Sequence, residues 1–117
     1  MRRIYRLNGK ENFRLLFRRG RSIEASLFKI VLKKNVFSHS RFAFIVPKAS
    51  SKKATVRNRL RRRAKEWIRK NSNALNGSMD LAVIFKKDAA TATSAKFYEE
   101  LGGVFRKIFN GNSREHY

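Results

Sequence analysis

The segment Lys52–Lys70 reads Lys-Lys-Ala-Thr-Val-Arg-Asn-Arg-Leu-Arg-Arg-Arg-Ala-Lys-Glu-Trp-Ile-Arg-Lys. Wound at about 100° per residue, it brings Val56, Leu60, Ala64 and Trp67 into one apolar stripe, with Ile68 at its edge. Asn58, Arg62, Lys65 and Arg69 fall on the opposite pole. Arg57 and Arg61 flank the stripe on one side, and Arg59, Arg63 and Lys70 on the other. The spacing predicts a helix that packs one face on a core and presents cations everywhere else. Guanidinium groups at i,i+3 and i,i+4 repel one another, and Glu66 is the only acid in the segment. An ordinary solvated helix mixes its signs. A face this one-signed points to a polyanion, and nucleic acid is the simplest.

The remainder of the chain fits that reading. It has 117 residues, 42% of them hydrophobic, enough for one domain with its own core. Ten Phe argue for packed structure rather than a basic disordered tail. Lys and Arg number 29 against 8 acids, a net charge of +21, which creates a strong field for anions at the cost of self-repulsion. There is no Cys, so disulfides, thiolate nucleophiles and Cys-based zinc sites are excluded. The N-terminal Met-Arg-Arg-Ile-Tyr-Arg-Leu lacks an apolar stretch behind its charges, and no apolar run approaches the roughly 20 residues of a membrane span. A soluble cytoplasmic protein with no membrane partner and no small-molecule substrate is expected.

Patterning predicts the other elements. Residues 1–7 read as an extended basic lead-in. Asn8 with Glu11 resembles a capping box ahead of a short helix carrying Phe13, Leu16 and Phe17, which Gly20 ends. From Ser22 to Lys33 the sequence alternates but changes parity, predicting one strand with a bulge near Leu27-Phe28. Arg41–Pro47 is a second strand, and Lys48–Lys53 a basic loop into the central helix. Asn71–Ser78 is a turn, and Asp80–Phe85 a strand buried on both faces. A last helix from Thr93 or Ser94 to Asn110-Gly111 carries Phe97, Leu101, Val104, Phe105 and Ile108 on one face, with Gly102-Gly103 suggesting close packing. Residues 113–117 are a tail. The expected fold is a single-domain α/β (α+β) two-layer sandwich, a small mixed sheet with three helices in the order α-β-β-α-β-α.

Little in the sequence supports protein-borne catalysis. His39 falls in a predicted turn and His116 in the tail, both read as exposed bystanders. Glu24, Asp80, Asp88, Glu99 and Glu100 show no metal-ligand spacing. Glu99-Glu100 at the start of the last helix suits the helix dipole. There is no phosphate-binding Gly-Lys-Ser/Thr loop and no Gly-x-Ser-x-Gly.

Ala54-Thr-Val-Arg-Asn-Arg-Leu-Arg-Arg62, preceded by Phe44-Ile-Val-Pro-Lys48, resembles the bacterial ribonuclease P protein component. Asn12-Phe-x-x-Leu-Phe-x-x-Gly20, the buried third strand and Tyr98-Glu-Glu100 match as well, so the resemblance spans most of residues 5–109. It implies the small subunit of a ribonucleoprotein that removes the 5′ leader of precursor tRNA. It implies catalysis by Mg²⁺ ions held by the RNA subunit, and a left-handed β-α-β crossover around the central helix. The partners implied are ribonuclease P RNA and precursor tRNA. Carried over, Arg57, Asn58, Arg59, Arg61, Arg62, Lys65 and Arg69, with Lys48, Lys52 and Lys53, would bind RNA; Phe13, Phe17 and Val31 would line the leader cleft. Arginine forks suit phosphate oxygens, and aromatic faces suit bases of any sequence. Three departures stand out: Val31 where an aromatic is usual, Ala49 where a second Lys is usual, and Arg63-Ala64 where larger apolar residues are usual. A ribosomal or general RNA-binding protein would share the charge and fold class. A duplex-DNA regulator would use the same helix in a major groove.

Overall fold

A computed structural model describes residues 4–71 and 77–114, with side chains described through Phe109. The elements are β1 (Tyr5–Arg6), α1 (Lys10–Arg19), β2 (Arg21–Glu24), β3 (Phe28–Lys34), β4 (Arg41–Ile45), α2 (Ala54–Lys70), β5 (Met79–Phe85), a 3-10 turn (Lys87–Ala90) and α3 (Ser94–Arg114). The fold is α+β, with three helices on a mixed five-stranded sheet in the order β1-β4-β5-β3-β2. β4 runs parallel to β1 and β5, while β3 is antiparallel to β5 and β2. Parallel neighbours cannot be joined by a tight turn, so α2 forms the crossover from β4 to β5.

Strand parity sorts the core into two layers. Phe28, Ile30, Leu32, Phe42, Leu81, Val83 and Phe85 face α2 and α3, meeting Leu60, Ala64 and Ile68 from α2 and Phe97, Leu101, Phe105 and Ile108 from α3. Val31, Ala43 and Ala82 face the other way and are covered by Leu16 of α1 and by Leu7. β5 sits in the middle of the sheet and is buried on both faces, as its unbroken apolar run predicts. Instead of the expected two layers, α1 adds a third over part of the second face. The Phe content is largely core: Phe28, Phe85 and Phe97 form an edge-to-face and stacked cluster with centroids 5.2–6.1 Å apart.

Several expectations are corrected. The N-terminal lead-in contributes β1, and Leu7 behind it is buried, its amide donating to Phe42 O at 2.8 Å. No capping box forms. Gly9, at φ +95°, is the residue before the helix, and Asn12 Nδ2 donates to Asn8 O. That backbone angle suits Gly alone, which moves the start by one residue. The parity change between Ser22 and Lys33 marks a hairpin rather than a bulge. Ala25 N–H donates to Phe28 O, and Glu100 of α3 accepts from Leu27 N–H and Ser26 Oγ, both at 2.5 Å. Glu100 therefore holds this turn; the helix dipole is not needed to explain it. The α3 backbone continues past Asn110-Gly111 to Arg114. Asn and Gly are weak helix formers, not prohibited ones. Part of the 71–78 turn, including Asn76, and His116 lie outside the described residues.

Gly20 does end α1, but for a steric reason. Its backbone is extended at φ −75°, so a left-handed conformation plays no part. A Cβ there would sit 2.5 Å from Leu16 O and 2.9 Å from Leu32 O. Gly102 lets α3 approach Trp67, which would lie 3.4 Å from an added Cβ, whereas Gly103 has open space.

The sheet's far end is tied by a buried ion pair. Arg41 Nε and Nη2 donate to both oxygens of Asp80 at 2.8 and 2.6 Å, and Asn35 Nδ2 adds a third bond at 2.9 Å. Burial pushes the Asp80 carboxyl up, but the hydrogen bonds from Arg41 and Asn35 and the charges of Arg41 and Lys33 outweigh it. They hold it below the usual carboxylate range.

Two outcomes are expected. Gly20→Ala should cost about 1–3 kcal/mol by overpacking, measured by denaturant unfolding. Because the folded pKa of Asp80 lies below the unfolded one, its stabilisation is full above about pH 4 and is lost as pH falls through the folded value. Asp80→Asn should remove that part of the acid dependence and cost about 3 kcal/mol at neutral pH; unfolding followed against pH checks both.

Candidate nucleic-acid interface

The observed burial of α2 follows its predicted stripe, turned by roughly 40° toward Ile68. Leu60, Ala64 and Ile68 are the buried positions, while Val56 and Trp67 are half-buried at the rim. Trp67 is displaced because it leans on α3, its ring 5.6 Å from Phe105. This rotation tips Arg57 and Arg61 toward protein and leaves Asn58, Arg62 and Lys65 exposed.

The cationic side of α2 forms one wall of a groove of about 530 Å³. Asn58, Arg61, Arg62 and Lys65 line it from α2, and Phe13 and Asn8 from α1 and its approach. Its remaining lining is Ile4, Arg6 and Leu7 with residues 42–45 of β4. The groove exists because β1 pairs only with Arg41 and Phe42, so the outer edge of β4 is bare beyond them. Arg61 Nε reaches that edge, donating to Phe44 O at 3.3 Å, and its Nη1 donates to Asn58 Oδ1 at 3.0 Å. Asn58 and Arg61 are thus held in place together. Among the described residues, Arg62 and Lys65 have no hydrogen bond or ion pair to the protein. No acid lines the groove.

The remaining residues singled out from sequence divide into three kinds. Arg57 and Arg59 hold neighbouring segments. Arg57 Nη1 donates to Ser51 O and Lys52 O at 2.9 and 2.8 Å, closing the loop before α2. Arg59 Nη2 donates to Ala90 O of the 3-10 turn at 3.2 Å, and its Nε is buried without a partner. Lys48, Lys52 and Lys53 are exposed on the loop ahead of α2, outside the groove, and Arg69 pairs with Glu66. Of the three cleft positions, Phe13 lines the groove. Phe17 stacks beside it at 6.2 Å and is 48% exposed. Val31 is only 4% exposed, packed with Leu16 beneath α1, and lies off the groove. Arg63 is half-buried, with its guanidinium 5.9 Å over the Phe97 ring.

Arg6 and Asn8 also line the groove, a placement that the sequence pattern does not predict. Ile4 and Arg6 share one strand parity, but two residues of strand are too few to carry a readable pattern. His39 is no exposed bystander: its ring stacks on Tyr5 at 3.5 Å and is half-buried. Among the described residues no group of three or more His, Cys, Asp or Glu converges as a metal site, and no helix is long and apolar enough to cross a membrane.

The family model described as Ribonuclease P matches residues 1–109. The ribonuclease P protein component of Thermotoga maritima is 34% identical over 82 residues, 70% of this chain and 69% of that protein. That of Synechocystis is 31% identical over 115 residues, 95% of this chain and 93% of that protein. Among solved structures, the RNase P protein of Thermotoga maritima superposes with a TM-score of 0.79 at 27% identity, covering 87% of this chain and 96% of the other. The Staphylococcus aureus RNase P protein shares the fold, with a TM-score of 0.83 at 23% identity over 92% of this chain and 99% of that one. The match over nearly the whole chain, on a fold whose groove is lined by the signature helix, places this chain in the ribonuclease P protein component family.

Proposed function

We propose that this chain is the non-catalytic protein subunit of a ribonuclease P. It binds the catalytic RNA and the 5′ leader of precursor tRNA in the cytoplasm and so promotes 5′ maturation of tRNA. The observation that carries the reading is the groove, cationic on its α2 wall, aromatic at Phe13 and bare of acids. Arg62 and Lys65 have donors free for phosphate oxygens, and Arg61 with Asn58 is pre-set beside them. Phe13 and the exposed Phe17 offer faces on which unpaired bases can stack without regard to sequence, which suits a subunit that meets many leaders.

The groove wall repels a divalent cation, and no acid lines it, so these residues do not fit a resident Mg²⁺. The reading assigns the Mg²⁺ of the reaction to the RNA subunit. What the protein supplies is positive charge that lowers the repulsion between two RNA chains brought together, and a fixed path for the single strand.

Arg57 and Arg59 enter this function through positioning. By closing the loop before α2 and the 3-10 turn after β5, they fix where the helix starts and how it lies.

The test is reconstitution of the full chain with a ribonuclease P RNA and precursor tRNA at low Mg²⁺. Cleavage should rise well above that of the RNA alone; no rise would reassign the chain as a general RNA-binding protein. Arg62→Ala should weaken RNA binding by about 1–3 kcal/mol without lowering the unfolding midpoint, whereas Arg59→Ala should lower the midpoint as well. Binding measured across a salt series should fall linearly on a log-log plot, and the slope should flatten by about one unit in Arg62→Ala.

A further inference from the structure

Away from the groove, the Asn35–Ser40 loop carries an exposed aromatic ladder that packing does not require. The His39 ring stacks on Tyr5 at 3.5 Å with a 12° interplanar angle, and on Phe37 at 5.9 Å and 15°. The Arg41 guanidinium lies over the Phe37 ring at 4.4 Å. Tyr5 is 39% exposed, Phe37 45% and Val36 96%.

Solvent-facing aromatics on a loop are usually loose; these are held. Asn35 Oδ1 accepts from Phe37 N–H at 2.9 Å, while its Nδ2 donates to His39 O and to Asp80. Ser40 Oγ donates to Gly77 O at 3.0 Å and accepts from Met79 N–H. The Arg41–Asp80 ion pair fixes the guanidinium that covers Phe37. The ladder is therefore rigid before any partner arrives, so little conformational entropy remains to be lost on binding. His39 Nδ1 is buried without a hydrogen-bond partner, a further sign that its ring is placed for stacking.

The charge around the ladder selects the partner. Arg6, Lys33, Lys34 and Arg41 border it in sequence or in the sheet, and the one acid among them, Asp80, is neutralised within its ion pair. Flat rings beside cations match unpaired nucleotides, whose bases stack while their phosphates meet the positive field. Tyr5 directly precedes Arg6, a lining residue of the groove, so a strand leaving the groove past β1 meets the ladder next.

We propose that the Tyr5–His39–Phe37–Arg41 ladder is a second single-stranded RNA site, separate from the groove, that stacks unpaired bases. It rests on the reading that the chain binds RNA, and not on which RNA that is.

The test uses the full chain with a labelled single-stranded oligoribonucleotide of about ten nucleotides, read by anisotropy at low salt. Phe37→Ala should lower affinity about fivefold or more, Phe37→Trp should retain it, and neither should change the unfolding midpoint. In the wild-type protein, adding the oligoribonucleotide should shift the Phe37 and His39 ring resonances. Unchanged affinity in Phe37→Ala with unmoved resonances, while Arg62→Ala still loses binding, would overturn the ladder and leave the groove standing. If neither substitution weakens binding, the RNA reading fails with it. Ring shifts that follow protein concentration instead of added RNA would assign the patch to self-association and overturn the proposal.

Discussion

The structure depends on how α2 meets the sheet. Leu60, Ala64 and Ile68 must be buried, and they have to be buried between two strands, β4 and β5, that run parallel side by side. A crossover of that kind leaves the helix no freedom to turn its stripe elsewhere. Once the stripe is down, the six Arg and four Lys of residues 52–70 cannot be buried with it, and are distributed by rotation about the axis. Arg57, Arg59 and Arg61 reach protein carbonyls, whereas Arg62 and Lys65 face the groove. The mutual repulsion expected of such a helix is thereby softened, because Arg57, Arg59 and Arg61 each give donors to backbone oxygen.

The groove itself follows from a short strand. Had β1 continued along β4, the edge at Phe44 would be covered. Instead the chain turns away after Leu7, and a stretch of bare strand edge remains. Bare edges invite pairing with other chains. Here Arg61 occupies Phe44 O, and the facing wall of α2 carries Arg62 and Lys65. The same features that discourage another strand favour a polyanion.

The few acids are placed where structure needs them. Glu11, Glu24, Glu66 and Asp80 each pair with a cation, and Glu100 spans from α3 to the β2–β3 turn. None of these carboxylates lines the groove. The positive field there consequently survives folding, since folding spends the negative charge elsewhere. Asp80 does double duty, closing the end of the sheet and fixing the guanidinium over Phe37.

The amino-acid sequence by itself determined the class of fold, the amphipathic face of α2, the doubly buried β5 and the apolar face of α3, because periodicity over seven or more residues reports burial directly. It also determined the family, through Arg57-Asn58-Arg59 in its setting. Short features escaped it: two residues of β1 carry no periodicity, and a parity change between Ser22 and Lys33 reads equally as bulge or hairpin. Tertiary structure alone decided which cations are available. Arg57, Arg59 and Arg62 are the same residue in one helix, yet only Arg62 is unengaged, because the carbonyls of Ser51, Lys52 and Ala90 come from segments brought alongside by the crossover. It likewise put Val31 under α1 and lifted His39 onto Tyr5. Such placements depend on contacts between segments far apart in the chain, and no local pattern encodes them.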